Sequence, residues 1–213
     1  LDSQAWDARY AVAASMWGAE PNRWVVRELG ALAAGRALDL ASGEGRNALW
    51  LAGRGWRVTA VDFSEVAVDR ARQLAEAAEV TERLTVLRAD LLDYRPTPGG
   101  YDLVLIAYLH LPAAQRRGVL RRAAEALAPG GTLLVTGHDS TNPTEGVGGP
   151  QDPAVLYSPQ DLLDDLAGLG LHTVRAERLH RPVAGSGTGR GTAAGGENGS
   201  AEAVDALVRV DRP

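Results

Sequence analysis

Cysteine is absent from the 213-residue chain, which removes disulfides, thiolate nucleophiles and cysteine-ligated metal sites from consideration. Lysine is missing too, since all 22 basic residues are arginine. Alanine and glycine are heavily used as well, and this compositional bias weakens any argument built on a single arginine. There is no long apolar run: the longest, Leu103 to Leu109, is strand-sized and far short of a membrane span. The first residues lack the basic-then-apolar pattern of a secretory signal, so a cytoplasmic location is expected. A formal net charge of −5 gives no whole-chain attraction to nucleic acid or anionic membranes and favours a small-molecule partner. Four scattered histidines without ligand-like spacing predict no metal site.

What is present is organised around Ala37 to Trp50. Ala37-Leu38-Asp39-Leu40 reads as a buried strand, Ala41-Ser42-Gly43-Glu44-Gly45 as a glycine turn, and Arg46-Asn47-Ala48 as the opening of a helix. Gly43 and Gly45 permit positive φ and leave no side chain between the backbone and a ligand lying on the turn. Asp39 is the odd residue, because a carboxylate inside an apolar strand is costly unless something donates to it. Arg57 to Val61 reads as the next parallel strand, so the unit is the first β–α–β of a doubly wound fold. Further strands are predicted at Leu84 to Ala89, Tyr101 to Ala107 and Thr132 to Thr136, the last after a break at Ala128-Pro129-Gly130-Gly131. Leu171 to Leu179 and Ala203 to Val210 are separated only by the Gly/Ser/Thr-rich tract Gly185 to Ser200. Too little lies between them for a crossover helix, so these two strands are expected to pair antiparallel, with the tract as a flexible hairpin loop.

The expected architecture is an α/β, Rossmann-like, doubly wound seven-stranded sheet. It is mostly parallel, with an antiparallel C-terminal β-hairpin and helices on both faces. One domain, 1–213, is expected: N-terminal helices in 1–35, a cofactor-binding core in 36–136, a Gly/Pro/Asn/Asp-rich substrate loop in 137–157, and a helix with the hairpin in 158–213. The N-terminal helices, Ala5 to Trp17 and Asn22 to Leu32, are either a lid or packing against the sheet. In such a sheet ligands bind beyond the carboxyl ends of the strands. The residues closing the strands are Asp39 to Gly45, Asp62, Asp90, Ala107 to His110 and Gly137 to Asp139. Asp62 stands where an acid can accept from both hydroxyls of a ribose, or else caps the next helix. Asp90 either accepts from an adenine amino group or closes a turn.

Asp39-x-x-x-Gly43-x-Gly45, Asp62, Arg88-Ala89-Asp90, Tyr101-Asp102-Leu103-Val104 and Leu127-Ala128-Pro129-Gly130-Gly131-Thr132-Leu133 resemble, in order, the motifs of class I S-adenosylmethionine-dependent methyltransferases. More narrowly, Trp6-Asp7-Ala8-Arg9-Tyr10 with Trp17, Pro21-Asn22, Asp39 to Asn47 and Val61-Asp62-Phe63-Ser64 are similar to the tellurite-resistance and thiopurine methyltransferase-like group, in which Ser42 is often Cys. The resemblance implies S-adenosylmethionine as cofactor and S-adenosylhomocysteine as product. It implies that Asp39, Ala41, Gly43, Gly45, Arg46 and Asn47 hold the methionine end, Asp62, Phe63 and Ser64 the ribose, and Asp90 with Leu91 the adenine. Ala107, Tyr108 and Leu109 would flank the sulfonium, with Arg9, Tyr10 and Trp17 closing over it.

Methyl transfer from a sulfonium is a displacement with an activated donor, so alignment and exclusion of water matter more than a dedicated catalytic group. A base is needed only when the acceptor arrives protonated. His110, His138 and Tyr108 are the candidates, because they follow strands at the reactive end; the alternatives are that His110 caps the helix after Pro112 and His138 binds loop backbone. Tyr157 and the loop from Gly137 to Pro153 are where the acceptor is expected to be chosen, with Asn142, Gln151 and Asp152 as polar contacts. His180-Arg181 with Arg190 forms a possible basic cluster, and His172 is expected on a strand surface. Two other readings stand: a nicotinamide-dependent oxidoreductase, whose third glycine is replaced here by Ala48, and a non-catalytic binding module. The oxidoreductase is disfavoured by the final hairpin and the Pro129-Gly130-Gly131 turn.

Overall fold

The computed structural model describes residues 3–12, 18–183 and 201–213. Seven strands form one sheet: β1 (Arg36–Leu40), β2 (Arg57–Asp62), β3 (Leu84–Arg88), β4 (Tyr101–Ala107), β5 (Leu127–His138), β6 (His172–Pro182) and β7 (Glu202–Asp211). Their spatial order is β3-β2-β1-β4-β5-β7-β6. The first five run parallel, while β7 inserts antiparallel between β5 and β6. The helices are α1 (Ser3–Val12), α2 (Arg23–Leu29), α3 (Arg46–Gly53), α4 (Glu65–Ala77), α5 (Ala113–Glu125), α6 (Asn142–Glu145) and α7 (Pro159–Leu166). This is the expected doubly wound sheet with its antiparallel hairpin. No helix among the described residues is long and apolar enough to cross a membrane.

β1 lies near the centre because both its edges are paired, Asp39 sitting between Ala60 of β2 and Leu105 of β4. Alternation along the strands divides the core in two. Ala37, Val58, Ala60, Leu103 and Leu105 face α2, α3 and α4, whereas Leu38, Leu40, Val104, Ile106, Leu133 and Val135 face α5 and α7. Asp39 shares the face of Ala37. On the other face the α5–α7 contact is fixed by Asp165, whose two oxygens accept from Arg116 Nε at 2.7 Å and Arg117 Nε at 3.0 Å.

Two expectations change. The Pro129-Gly130-Gly131 segment does not precede a strand but lies within β5. The pairing steps from Tyr101↔Leu127 to Leu103↔Thr132, so β5 carries three extra residues there, with Gly130 at φ +76°. Reciprocal bonds with the chain's end, Gly130 N–H to Arg212 O and Arg212 N–H to Gly131 O, both 2.8 Å, keep the turn in the sheet. The 137–157 segment is also more ordered than a loop, since it contains α6 and a 3₁₀ turn at Pro153–Val155. Asp139 and Asp152 start these turns by accepting the N–H groups of Thr141 and Ala154, each at 2.9 Å. The N-terminal helix is described only to Val12, so Ala13, Ala14 and Trp17 lie outside the described residues, as does the whole Gly185 to Ser200 tract with Arg190.

Gly137 shows how tightly the end of β5 is packed. A Cβ there would collide with the Tyr157 hydroxyl and lie 2.9 Å from Tyr157 Cζ and 3.3 Å from His110 Nε2. Gly137→Ala is therefore expected to destabilise the fold by about 1–3 kcal/mol through overpacking, read from urea unfolding midpoints; an unchanged midpoint would show that Tyr157 moves aside without cost.

Candidate functional site

The turn after β1 takes left-handed backbone at Ala41 (φ +58°), Gly43 (φ +56°) and Gly45 (φ +82°). Gly45 is required by a close approach as well, since a Cβ there would lie 3.1 Å from that of Ala71 on α4. Asp62 ties this turn to the next strand: its Oδ2 accepts the Gly43 N–H at 2.8 Å and its Oδ1 the Ser64 N–H at 3.0 Å. Burial pushes the Asp62 carboxyl upward, opposed by those backbone donors, with Asp7 adding to the rise. Ser64 caps α4 by accepting the Ala67 N–H at 3.2 Å and donates its hydroxyl to Asp7 of α1 in a short 2.5 Å bond. Phe63 between them is half-buried.

Asp39 is only 1% exposed, and neither oxygen meets a hydrogen-bond donor in good geometry among the described residues. Burial first, and then the nearby Asp62 charge, push its carboxyl up to about 8; Arg46 and the Ala48 N–H oppose the rise. Arg46 is partly buried, within the electrostatic reach of Tyr108, Arg181, Asp39 and Tyr10. Tyr10 is buried over the turn, its hydroxyl 2.8 Å from where a Cβ of Gly43 would stand. Arg9, by contrast, is exposed, with its guanidinium 5.1 Å over the Trp6 ring, so the expectation that it faces inward does not hold. Asn47 also differs from expectation: its Oδ1 accepts the Asn22 N–H at 2.9 Å and so fixes the entry to α2. Asp90 is exposed and closes its own turn on the Leu92 N–H at 2.8 Å, the turn alternative, while Leu91 is buried in the core.

At the ends of β4 and β5 four rings meet. His110 stacks between His138 (5.5 Å) and Tyr157 (5.8 Å), and Tyr108 meets His138 edge-on at 5.1 Å. Tyr108 holds a left-handed φ of +61° while its N–H donates to Thr136 O at 2.7 Å. Ala107 and Leu109 on either side of it are half-buried. His110 is not placed to act as a base. Its Nε2 accepts the His138 N–H at 3.1 Å, the Tyr108 backbone engages the ring's other side, and burial with the His138 neighbour drives its value down to about 4. Tyr108 is likewise a donor here: burial, then the Asp205 charge, push its phenol far upward, and its hydroxyl donates to Asp205 Oδ2 at 2.8 Å. Of the three base candidates His138 remains. Burial lowers its value, Asp205 raises it and Arg181 lowers it again.

Asp205 of β7 escaped the sequence reading. It is fully buried, and its Oδ2 accepts from Trp24 Nε1, Tyr108 Oη and Arg181 Nε, each at 2.8 Å. A charged residue amid Ala203-Val204 and Ala206-Leu207 is the same signal that marked Asp39. The polar loop residues turn inward to their own backbone. Asn142 accepts the Val204 N–H and donates to Gly148 O, both at 2.8 Å, Gln151 reaches Gly149 O at 3.3 Å, and Asp152 caps the 3₁₀ turn. They are not offered to an acceptor. Of the proposed basic cluster Arg181 reaches the site, His180 is exposed 3.6 Å from Glu202, and Arg190 lies outside the described residues; His172 is exposed. No group of three or more acidic or histidine side chains suited to a metal occurs among the described residues. A surface cavity of about 450 Å³ between Pro98, Gly99, Glu125, Pro129 and Arg212 opens at the opposite end of the strands and faces none of these groups.

Residues 37–131 match the methyltransferase domain family. Over 101 residues the chain is 36% identical to the tRNA 5-carboxymethoxyuridine methyltransferase of Escherichia coli strain K12, an alignment that covers 46% of this chain and 38% of that protein. The chain therefore spans well under half the length of this curated relative. Two solved structures share the fold along 99% of the chain. One, described as the conversion of a disulfide bond into a thioacetal group during echinomycin biosynthesis, has a TM-score of 0.74 at 20% identity with 92% of it covered. The other, TehB from Haemophilus influenzae, has a TM-score of 0.70 at 15% identity with 67% covered. The chain is thus similar to a methyltransferase domain over residues 37–131, and along its whole length it shares the fold of these solved structures.

Proposed function

We propose that this chain methylates a small-molecule acceptor, that residues 36–136 hold the methyl donor, and that His138 takes the proton the acceptor loses. The observation that carries the reading is the closure around His138. Gly149 of the 137–157 segment, at φ +72°, packs so close that a Cβ there would lie 2.5 Å from Cδ2 and 2.7 Å from Nε2 of the ring. Such a covered position suits a compact acceptor better than a folded polynucleotide. The match to a tRNA methyltransferase covers 46% of this chain and 38% of that protein, too little to carry its acceptor over to this chain.

The site's chemistry fits the donor. Asp39 is a buried carboxylate without a hydrogen-bond partner among the described residues, the left-handed glycine turn follows it, and Asp62 stands at the end of β2. In this reading Asp39 and the turn receive the methionine end and Asp62 the ribose. Ala107, Tyr108 and Leu109 line the reacting centre, and Tyr10 on α1 closes over the turn. When bound, S-adenosylmethionine supplies a methyl group already activated on a sulfonium. The protein's work is to align acceptor and donor, exclude water and receive a proton at His138.

Isothermal calorimetry is expected to show binding of S-adenosylhomocysteine and none of NAD. A labelled-methyl screen of metabolites, thiols, thiopurines, tellurite and tRNA is expected to label a small molecule. NAD binding without S-adenosylhomocysteine binding would end the proposal, and transfer to tRNA alone would overturn the acceptor class. Asp39 gives a linked prediction. Between the ordinary value of 3.8 and its folded value of about 8, the folded chain binds more protons than the unfolded one, so the free protein loses stability as pH rises through that window. Pairing with the cofactor's ammonium favours the ionised form, so S-adenosylhomocysteine binding at pH 7 should release protons, read from the buffer dependence of the binding heat. Asp39→Asn should abolish both effects; their persistence would place the titration elsewhere. Once an acceptor is found, His138→Gln should lower kcat by about 10²–10⁴-fold and remove the acid limb of the pH–rate profile, and an unaltered profile would clear His138 of proton transfer.

A further inference from the structure

The arrangement around Asp205 is lopsided. Donors from three separate elements converge on Oδ2: the Trp24 indole from α2, the Tyr108 hydroxyl from the end of β4, and the Arg181 guanidinium from β6. Oδ1 has no hydrogen-bond partner among the described residues and faces His138 Nδ1 at 3.6 Å, which is itself buried and unpartnered among them. A carboxylate serving only to join strands would share its donors between both oxygens, because each unsatisfied buried atom carries a desolvation cost. The other groups around the His138 ring are Arg181 from β6 and Tyr108 and His110 after β4, of which His110 is held as an acceptor by the His138 backbone N–H. None of these competes with Asp205 for Nδ1. Gly149 covers one face of the ring, a Cβ there lying 2.5 Å from Cδ2 and 2.7 Å from both Cγ and Nε2.

We propose that Asp205 is a positioning residue that holds His138 in its Nδ1–H tautomer and so turns the Nε2 lone pair toward the acceptor. This rests on the reading of His138 as the proton acceptor. In the step itself the acceptor heteroatom bonds the methyl carbon as the carbon–sulfur bond breaks and its electron pair stays on sulfur. The acceptor's proton passes to Nε2, and the resulting imidazolium is stabilised by the ionised Asp205 behind it before the proton leaves to solvent. The acceptor class this geometry fits is a hydroxyl or amine that brings its proton into the site. An acceptor already present as an oxyanion has no proton to give and meets the Asp205 charge behind the ring.

Nitrogen-15 and carbon-13 spectra of the histidine-labelled full chain test this without any acceptor. The His138 signals are assigned by their loss in His138→Gln. The wild-type ring is expected in the Nδ1–H form near neutral pH. In Asp205→Asn the three donors at Oδ2 keep the amide oxygen on their side, so the amide NH₂ points at Nδ1 and His138 should switch to the Nε2–H form. Thermal melting and S-adenosylhomocysteine binding check that this variant is folded. A wild-type ring in the Nε2–H form overturns the proposal, and so does an unswitched tautomer in the folded variant. If Asp205→Asn does not fold, the wild-type spectrum alone decides. An oxyanion such as tellurite as sole acceptor in the methyl-transfer screen overturns the acceptor class. Because the tautomer is read without turnover, its failure is separable from a failure of methyl transfer.

Discussion

Placing a carboxylate inside a β-sheet removes its hydration, and only nearby donors or cations can compensate. This chain does so at Asp39 of β1 and at Asp205 of β7, and the two positions are answered differently. Asp205 gathers an indole, a phenol and a guanidinium on one oxygen. Asp39 lacks such donors and is driven toward its neutral form. The contrast separates a carboxylate with its donors in place from one that has none among the described residues. Much of the local geometry follows from these two needs, including the left-handed turn beyond β1 and the left-handed Tyr108 that brings its hydroxyl onto β7.

The parallel core was legible because its signals are local. Short apolar runs, glycines at strand ends and acids closing β2 and β3 announce a doubly wound sheet, and the short connection before the last strand announces the hairpin. Asp205 was not legible in the same way. Its partners lie 181, 97 and 24 residues away in sequence, and no periodicity links Trp24, Tyr108 and Arg181 to it. His110 and His138 looked alike as residues following strands; only the backbone bond from one to the other, with the rings stacked, separates a locked imidazole from an available one. The loop's Asn142, Gln151 and Asp152 read as ligands because polarity in a sequence does not say which way a side chain turns.

The family match ends at residue 131, before His138, the glycine-rich cover and both hairpin strands. That match therefore runs from β1 to the glycine turn inside β5 and includes none of these elements. The elements beyond it, where fold similarity continues at low sequence identity, carry the groups that would meet an acceptor. Function on such a scaffold belongs to the site and not to the fold.

The insertion of β7 between β5 and β6 also sets an order of assembly. A sheet grown from the ribosome outward has β1 to β5 in hand long before Glu202–Asp211 is made, and the final strand must then pair with neighbours on both sides. Asp205 arrives with that strand. A nascent chain thus has its five parallel strands while His138 still lacks the carboxylate opposite its ring.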